Sequence, residues 1–346
     1  MSRSSDTSPV YCALVDSAYF VGAVGLVNSL RLTGHSGEIA FLDVGLEQEQ
    51  RAFLEQEATV HDGPKGAGWL SVFAKPLMGR LYPDRVVVFL DNDVVITGSL
   101  DPFVQAAEDG AIAVIEDMRT RWFAEWEQIF ALREPLRSSS SYANGSFVAL
   151  STSRWQWLLD RWYELSQPVA AARAGRPFLL RWKEAESDPI GFNEQDVLNA
   201  LLLSEVPEFA ARFWPHSLTP IYDERRRTHV VDAETLRCEA DGNAALFLHF
   251  TGQPKPWQPH GWLRLRFRAF NRLLTRVLEG DDLALRLPSA KIPPWLRAGF
   301  RGRLLENAGA AAARVVYGVF AIVPDEYRTR VTAAVRARLS KTGARD

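Results

Sequence analysis

The chain has 346 residues, 47% hydrophobic and 24% charged, with a formal net charge of −2. That balance excludes a disordered or collagen-like chain and leaves a globular protein able to bury a sizeable core. Two cysteines, Cys12 and Cys238, cannot build a zinc centre alone, and neither a membrane-span window nor an apolar signal core is present, so a cytoplasmic protein with reduced thiols is expected.

A strand from Val10 to Val15 opens the chain and runs into Asp16-Ser17-Ala18-Tyr19. A helix through Val21 to Leu32 follows, then a strand from Ile39 to Val44 and a helix near Glu47 to Glu57. A short extended stretch near Ala58 to His61 precedes a helix from about Trp69 to Leu81. Val86 to Leu90 is a run of five apolar residues, the pattern of a strand buried on both faces. Strands are also expected at Ala111 to Ile115, Ser146 to Ser151 and Leu246 to Phe250, and helices at Trp155 to Leu165 and Asn193 to Leu203. The irregular stretch between Asp117 and Tyr142 reads as a mobile segment over the site. Strands alternating with amphipathic helices predict an α/β fold: a Rossmann-like, mostly parallel sheet flanked by helices.

Beyond Trp262 the pattern is helical and arginine-rich. Residues 261–346 hold 17 Lys/Arg against 7 Asp/Glu, while the rest hold 23 against 35. The expected division is a catalytic domain over 1–260 and a basic, helical C-terminal extension over 261–346. Its aromatics Trp262, Phe267, Phe270, Trp295 and Phe300 suit either an interfacial helix on a membrane or burial against the catalytic domain. No nucleic-acid partner is expected.

The chemistry concentrates where the buried strand ends, at Asp91-Asn92-Asp93. In open α/β sheets, ligands bind in the crevice beyond the carboxyl ends of the strands. Two carboxylates beside an apolar core need donors or a cation, and their oxygens suit a hard divalent ion. The same motif can merely cap a helix or form a turn. His249, at the end of an apolar strand, can complete a metal shell. In the long motif His249 to Trp257, Gly252 lets backbone pass close to a ligand and Lys255 sits on a loop stiffened by Pro254 and Pro256. Tyr19 offers an aromatic face for a base, or is a core tyrosine. Lys75 can reach a diphosphate, or is simply solvated. Glu194 and Asp196 complement a helix N-terminus, which suffices to explain them; Gln195 brings an amide able to bind a sugar.

Taken in order, Asp16-Ser17-Ala18-Tyr19, Lys75, Asp91-Asn92-Asp93, Asn144-Gly145-Ser146, Glu194-Gln195-Asp196 and the His249 to Trp257 motif resemble glycosyltransferase family 8, the family of glycogenin and of bacterial lipooligosaccharide galactosyltransferases. The likeness spans Val10 to Trp257. It implies a GT-A fold, a nucleotide-sugar donor (usually a UDP-sugar) and Mn²⁺ or Mg²⁺ held by Asp91, Asp93 and His249. It further implies donor contacts from Asp16, Tyr19, Lys75, Asn92, Asn144, Gly252 and Lys255, with Tyr19 on the base and the lysines on the phosphates. Glu194 and Gln195 would line the sugar pocket, with Gln195 beside the reacting carbon and Lys255 aiding departure of the diphosphate. Transfer would retain anomeric configuration, moving a hexose-type sugar to a hydroxyl of a glycan, glycolipid or other acceptor. Two departures stand out: Asn144-Gly145-Ser146 replaces the family's Asn-x-Gly, and Glu194 stands where Asp is common. The alternatives are a nucleotidyltransferase, which needs a glycine-rich phosphate loop that Asp16 to Gly22 lacks, and a catalytically inactive nucleotide-sugar-binding protein.

Overall fold

The computed structural model describes residues 8–66, 68–174, 182–219, 228–259, 261, 267–305, 307–308, 311–312 and 315. The first half alternates strand and helix: β1 (Val10–Asp16), α1 (Phe20–Leu32), β2 (Glu38–Gly45), α2 (Gln48–Leu54), β3 (Thr59–Asp62), α3 (Met78–Leu81), β4 (Val86–Leu90) and β5 (Val94–Ile96). Then come α4 (Asp101–Glu108), β6 (Ile112–Glu116), α5 (Trp126–Ile129), β7 (Ala143–Ser151), α6 (Thr152–Arg173), α7 (Trp182–Ser187), α8 (Glu194–Leu203) and β8 (Ala211–Trp214). The remaining elements are β9 (His229–Asp232), β10 (Arg237–Ala240), β11 (Asn243–Ala244), β12 (Phe247–His249) and α9 (Arg268–Leu278).

Seven strands form the central sheet in the order β3-β2-β1-β4-β7-β6-β8. Only β7 runs against the others, pairing antiparallel with both β4 and β6. The alternation of side chains along β4 divides its burial between two layers. Val86, Val88 and Leu90 join the core under α1, α4 and α9; Val87 and Phe89 join the core under α6 and α8. This explains why the run is apolar at every position. After β1 the chain moves outward to β2 and β3, then returns to place β4 on the other flank. The order therefore switches between β1 and β4, which opens a crevice at their carboxyl ends.

Several elements differ from expectation. Residues 68–77 form a 3-10 helix that gives way to α3, and Pro76, which lacks a backbone N–H, interrupts the ladder a single continuous α-helix would need. The strand near 247–249 is not part of the main sheet: it pairs antiparallel with β5, setting His249 opposite Val94. The segment between Asp117 and Tyr142 is anchored rather than loose, with Trp126, Phe130 and Tyr142 all buried. Cys12 is a buried free thiol, as expected, and Cys238 is buried and free as well.

The core does not stop at residue 260. The α9 helix lies on α1, and Phe267, Phe270, Leu273 and Leu274 enter the same cluster as β4. The buried Asn28 side chain locks this contact: its amide donates to the Val277 and Leu285 carbonyls, both at 2.8 Å, and its carbonyl accepts from Leu285 N. Trp295 packs on the core and donates to the Pro256 carbonyl at 2.8 Å. Of the five C-terminal aromatics, Phe300 is exposed and Trp262 lies outside the described residues. Among the described residues, no helix is long and apolar enough to cross a membrane.

Candidate active site

The crevice between β1 and β4 deepens into a cavity of about 490 Å³. All of Asp16, Tyr19, Lys75, Asp91, Asn92, Asp93, Asn144, Glu194, Gln195, His249, Gly252 and Lys255 line it. Strand register does much of this gathering. Asp91 and Asp93 follow directly from β4, and the β5–β12 pair brings His249 beside them. The Asp93 carbonyl accepts from Phe250 N at 2.8 Å, which fixes the spacing.

His249 Nε2 lies 3.2 Å from Asp93 Oδ1 and 3.8 Å from Asp91 Oδ2. One potential ligand atom from each of the three residues falls within a mutual 4.8 Å. Neighbouring ligands on an octahedral ion with bonds of about 2.1 Å sit about 3 Å apart, so the Asp93–His249 spacing already fits and Asp91 needs only a small shift. The two carboxylates suit a hard divalent ion, and the imidazole adds a nitrogen donor of the kind transition metals accept.

Two lysines neutralise the aspartates. Lys75, delivered by the 3-10 helix, donates to Asp91 Oδ1 at 2.7 Å and to the Gly145 carbonyl at 2.8 Å. Lys255 donates to Asp93 Oδ2 and, at 2.9 Å, to the Phe250 carbonyl. Burial opposes the charged form of Asp93, but Lys255 and then His249 outweigh it and hold the carboxyl below its usual range. Burial likewise works against charged Lys75, and Asp91 more than compensates.

At the end of the cavity beside α1, Asp16 Oδ1 accepts from Tyr19 N at 2.9 Å and shapes the turn into α1. The Tyr19 ring meets the edge of Trp257, whose indole N–H donates to the Ala18 carbonyl at 3.0 Å. Gln253 donates to the Tyr19 hydroxyl at 2.6 Å. Gly252 takes a φ of +89°, which explains glycine there. Asn92 points inward and donates to the Leu14 carbonyl, tying β4 to β1. Gly22 is required behind it: a Cβ there would overlap the Asn92 carbonyl and sit 2.7 Å from the Trp257 ring.

The opposite wall is a hydrogen-bonded network. Asn144 donates to Asp117 Oδ2 at 2.8 Å, and its own carbonyl accepts from Ser146 N at 2.9 Å. Gln195 Oε1 accepts from Gly145 N at 2.7 Å, so the amide oxygen is held by backbone. Its Nε2 faces Asp117 Oδ2 at 3.4 Å. A side chain at Gly145 would crowd Gln195 at 3.3 Å, which gives a local reason for Asn144-Gly145-Ser146. Glu194 is half-buried in the cavity wall; burial pushes its carboxyl up to about 7, against the pull of Lys75.

Asp117 and Arg119 also line the cavity and were not among the candidates read from the sequence. Asp117 carried the same signal as Asp91, a carboxylate just past a buried strand, here β6. Asp196, by contrast, is fully buried and points away from the cavity, toward Arg121 and Tyr142.

No family model matches the chain. It is 23% identical over 181 residues to the lipopolysaccharide glucosyltransferase WaaO of Escherichia coli K12, covering 51% of this chain and 45% of that one. The chain thus spans less than half the length of this curated relative. Among solved structures, the galactosyltransferase LgtC, in complex with donor and acceptor sugar analogues, superposes with a TM-score of 0.50 at 15% identity, over 79% of this chain and 98% of that one. The apo-form glycosyltransferase GlyE of Streptococcus pneumoniae TIGR4 gives a TM-score of 0.45 at 18% identity, over 73% of this chain and 56% of that one. The chain has a GT-A fold like that of the family 8 glycosyltransferases its sequence resembles.

Proposed function

We propose that the chain is a retaining, metal-dependent glycosyltransferase that moves a hexose-type sugar from a nucleotide-sugar, a UDP-sugar in the first instance, to a hydroxyl of a glycan or glycolipid. The observation that carries this reading is the convergence of Asp91, Asp93 and His249 beside Lys75 and Lys255 at the sheet's switch point. The similarity to a lipopolysaccharide glucosyltransferase and to a galactosyltransferase supports it. So does charge: five carboxyl side chains line the cavity against three Lys/Arg side chains. An anionic diphosphate enters such a site only with a cation.

In this reading Tyr19 stacks on the base and Asp16 and Asn92 shape its pocket. Lys75 and Lys255 turn from the aspartates to the phosphates. Charge building on the departing diphosphate would be neutralised by a divalent ion held by Asp91, Asp93 and His249. Lys255 contributes to the same end in a site shielded from water, where its charge acts strongly. Glu194, Gln195 and Asn144 bind the sugar. The acceptor hydroxyl attacks from the face the diphosphate leaves, and a phosphate oxygen takes its proton. A covalent sugar adduct on Glu194, detected by mass spectrometry, would contradict that route.

The test is a screen of nucleotide-sugars with Mn²⁺, read as release of nucleoside diphosphate. Turnover of one donor supports the reading. Binding of UDP with no turnover of any donor, with or without candidate acceptors, would favour an inactive binding protein. The proposed setting is cytoplasmic, at the inner face of a membrane. Its contact would be the exposed Phe300, Leu304, Leu305 and Val315 with Arg301 and Arg303. Sedimentation with anionic vesicles, with and without residues 300–346, tests this contact.

A further inference from the structure

We infer that Arg121 and Asp196 are positioning residues: a buried clamp that sets the start of α8 and so presents Glu194 and Gln195 to the cavity. The inference rests on the glycosyltransferase reading above.

The geometry is unusually complete. A guanidinium carries five N–H donors, and every one finds an acceptor here. Arg121 Nε and Nη2 grip the two Asp196 oxygens at 3.0 and 3.2 Å. Nη1 donates to the Ala185 and Glu186 carbonyls at 2.9 and 3.0 Å, and Nη2 to the Asp188 carbonyl at 2.7 Å. The ring of Phe192 lies against the guanidinium at 4.3 Å and that of Phe123 at 4.9 Å. One side chain thereby ties the 117–142 segment to α7, to the turn after it and to α8. A lysine offers a single point charge and cannot make this set.

Asp196 is equally spent. Besides Arg121, it accepts from the Tyr142 hydroxyl at 2.7 Å and from Phe192 N at 2.7 Å, and it is wholly buried. It therefore has no free oxygen and no path to a sugar, which removes it as a nucleophile. What it does hold is a strained turn. Asn193, immediately before Glu194, takes φ +56° and ψ −126°, a conformation costly for any residue but glycine. Position 191 requires glycine, because a Cβ there would overlap the Ala185 carbonyl, the same group Arg121 binds. Tyr142 completes the link, since β7 continues from it to Asn144 and Gly145, the partner of Gln195. Misplacing reacting groups by about 1 Å can cost about 100-fold in rate, so the clamp should govern turnover rather than nucleotide binding.

The experiment measures kcat for the best nucleotide-sugar and the Kd of UDP with Mn²⁺, alongside melting temperature, in wild type, Arg121→Lys and Tyr142→Phe. The expected result is a fall in kcat of at least about tenfold in Arg121→Lys and about threefold in Tyr142→Phe, with UDP affinity within about twofold of wild type in both. An unchanged kcat in folded Arg121→Lys overturns the inference, as does a loss of UDP affinity equal to the loss of kcat. If Arg121→Lys does not fold, Tyr142→Phe decides by the same kcat-against-Kd split, and an unchanged kcat there overturns it. A wild type that binds UDP but turns over no donor defeats the glycosyltransferase reading instead.

Discussion

On the wall formed by the ends of β1 and β4, charge meets charge: Asp91 with Lys75, Asp93 with Lys255, and His249 between the carboxylates. On the facing wall, Asp117, Asn144 and Gln195 bond to one another and to backbone, while Arg121 and Asp196 close a buried pair behind them. On the proposed reading the first wall exchanges partners, because each of its ion pairs lines the cavity and can be replaced by a cation or a phosphate of matching charge. The second wall resists rearrangement, because the Arg121–Asp196 pair lies behind the cavity lining, where no ligand can take the place of either partner, and breaking it strands a buried charge. The proposed transfer, which releases an anion and holds a sugar in one pose, would need both kinds of wall.

The sharpest way to break this division is Asp93→Ala, which removes one of the three proposed metal ligands from the exchanging wall. Turnover should fall at least about 100-fold, about 2.7 kcal/mol of barrier, and UDP affinity should lose its Mn²⁺ dependence; calorimetry with and without Mn²⁺ measures the second. Gly22→Ala attacks the backing of the same wall. The added methyl forces Asn92 and Trp257 to move and should destabilise the fold by about 2 kcal/mol in denaturant unfolding. Lys255→Ala should lower kcat about tenfold and donor affinity less, since its contact strengthens as charge develops on the leaving group. Steady-state kinetics showing weaker donor binding with unchanged kcat would reassign Lys255 to ground-state binding. Asn144→Ala tests the resisting wall: transfer should fall about fivefold, as expected for one lost hydrogen bond, while UDP binding stays unchanged.

The exchanging wall was the more legible in the sequence. Val86 to Leu90 announces a strand buried on both faces, and the acids that end it need a compensating partner. The motif from His249 to Trp257 is long enough to read without a structure. What brings it to the aspartates is the pairing of two three-residue strands, β5 and β12, too short to show a period. The resisting wall was half visible. Gln195 and Asn144 stand in recognisable motifs, whereas Asp117 reads in the sequence only as the border of an irregular segment. Arg121 is one arginine among many, and only the fold shows that its five donors are all engaged. The same holds for the C-terminal aromatics: Phe267 and Phe270 belong to the core under α1, which no composition count distinguishes from a membrane-facing stripe.

The central claim is that Asp91, Asp93 and His249 hold one divalent ion that carries the donor's diphosphate. Anomalous diffraction at the manganese edge, from a crystal soaked with Mn²⁺ and UDP, tests it most directly. One strong peak is expected between these three side chains, in contact with the diphosphate. UDP bound in the crevice with no peak there, or with manganese held by other residues, would contradict it.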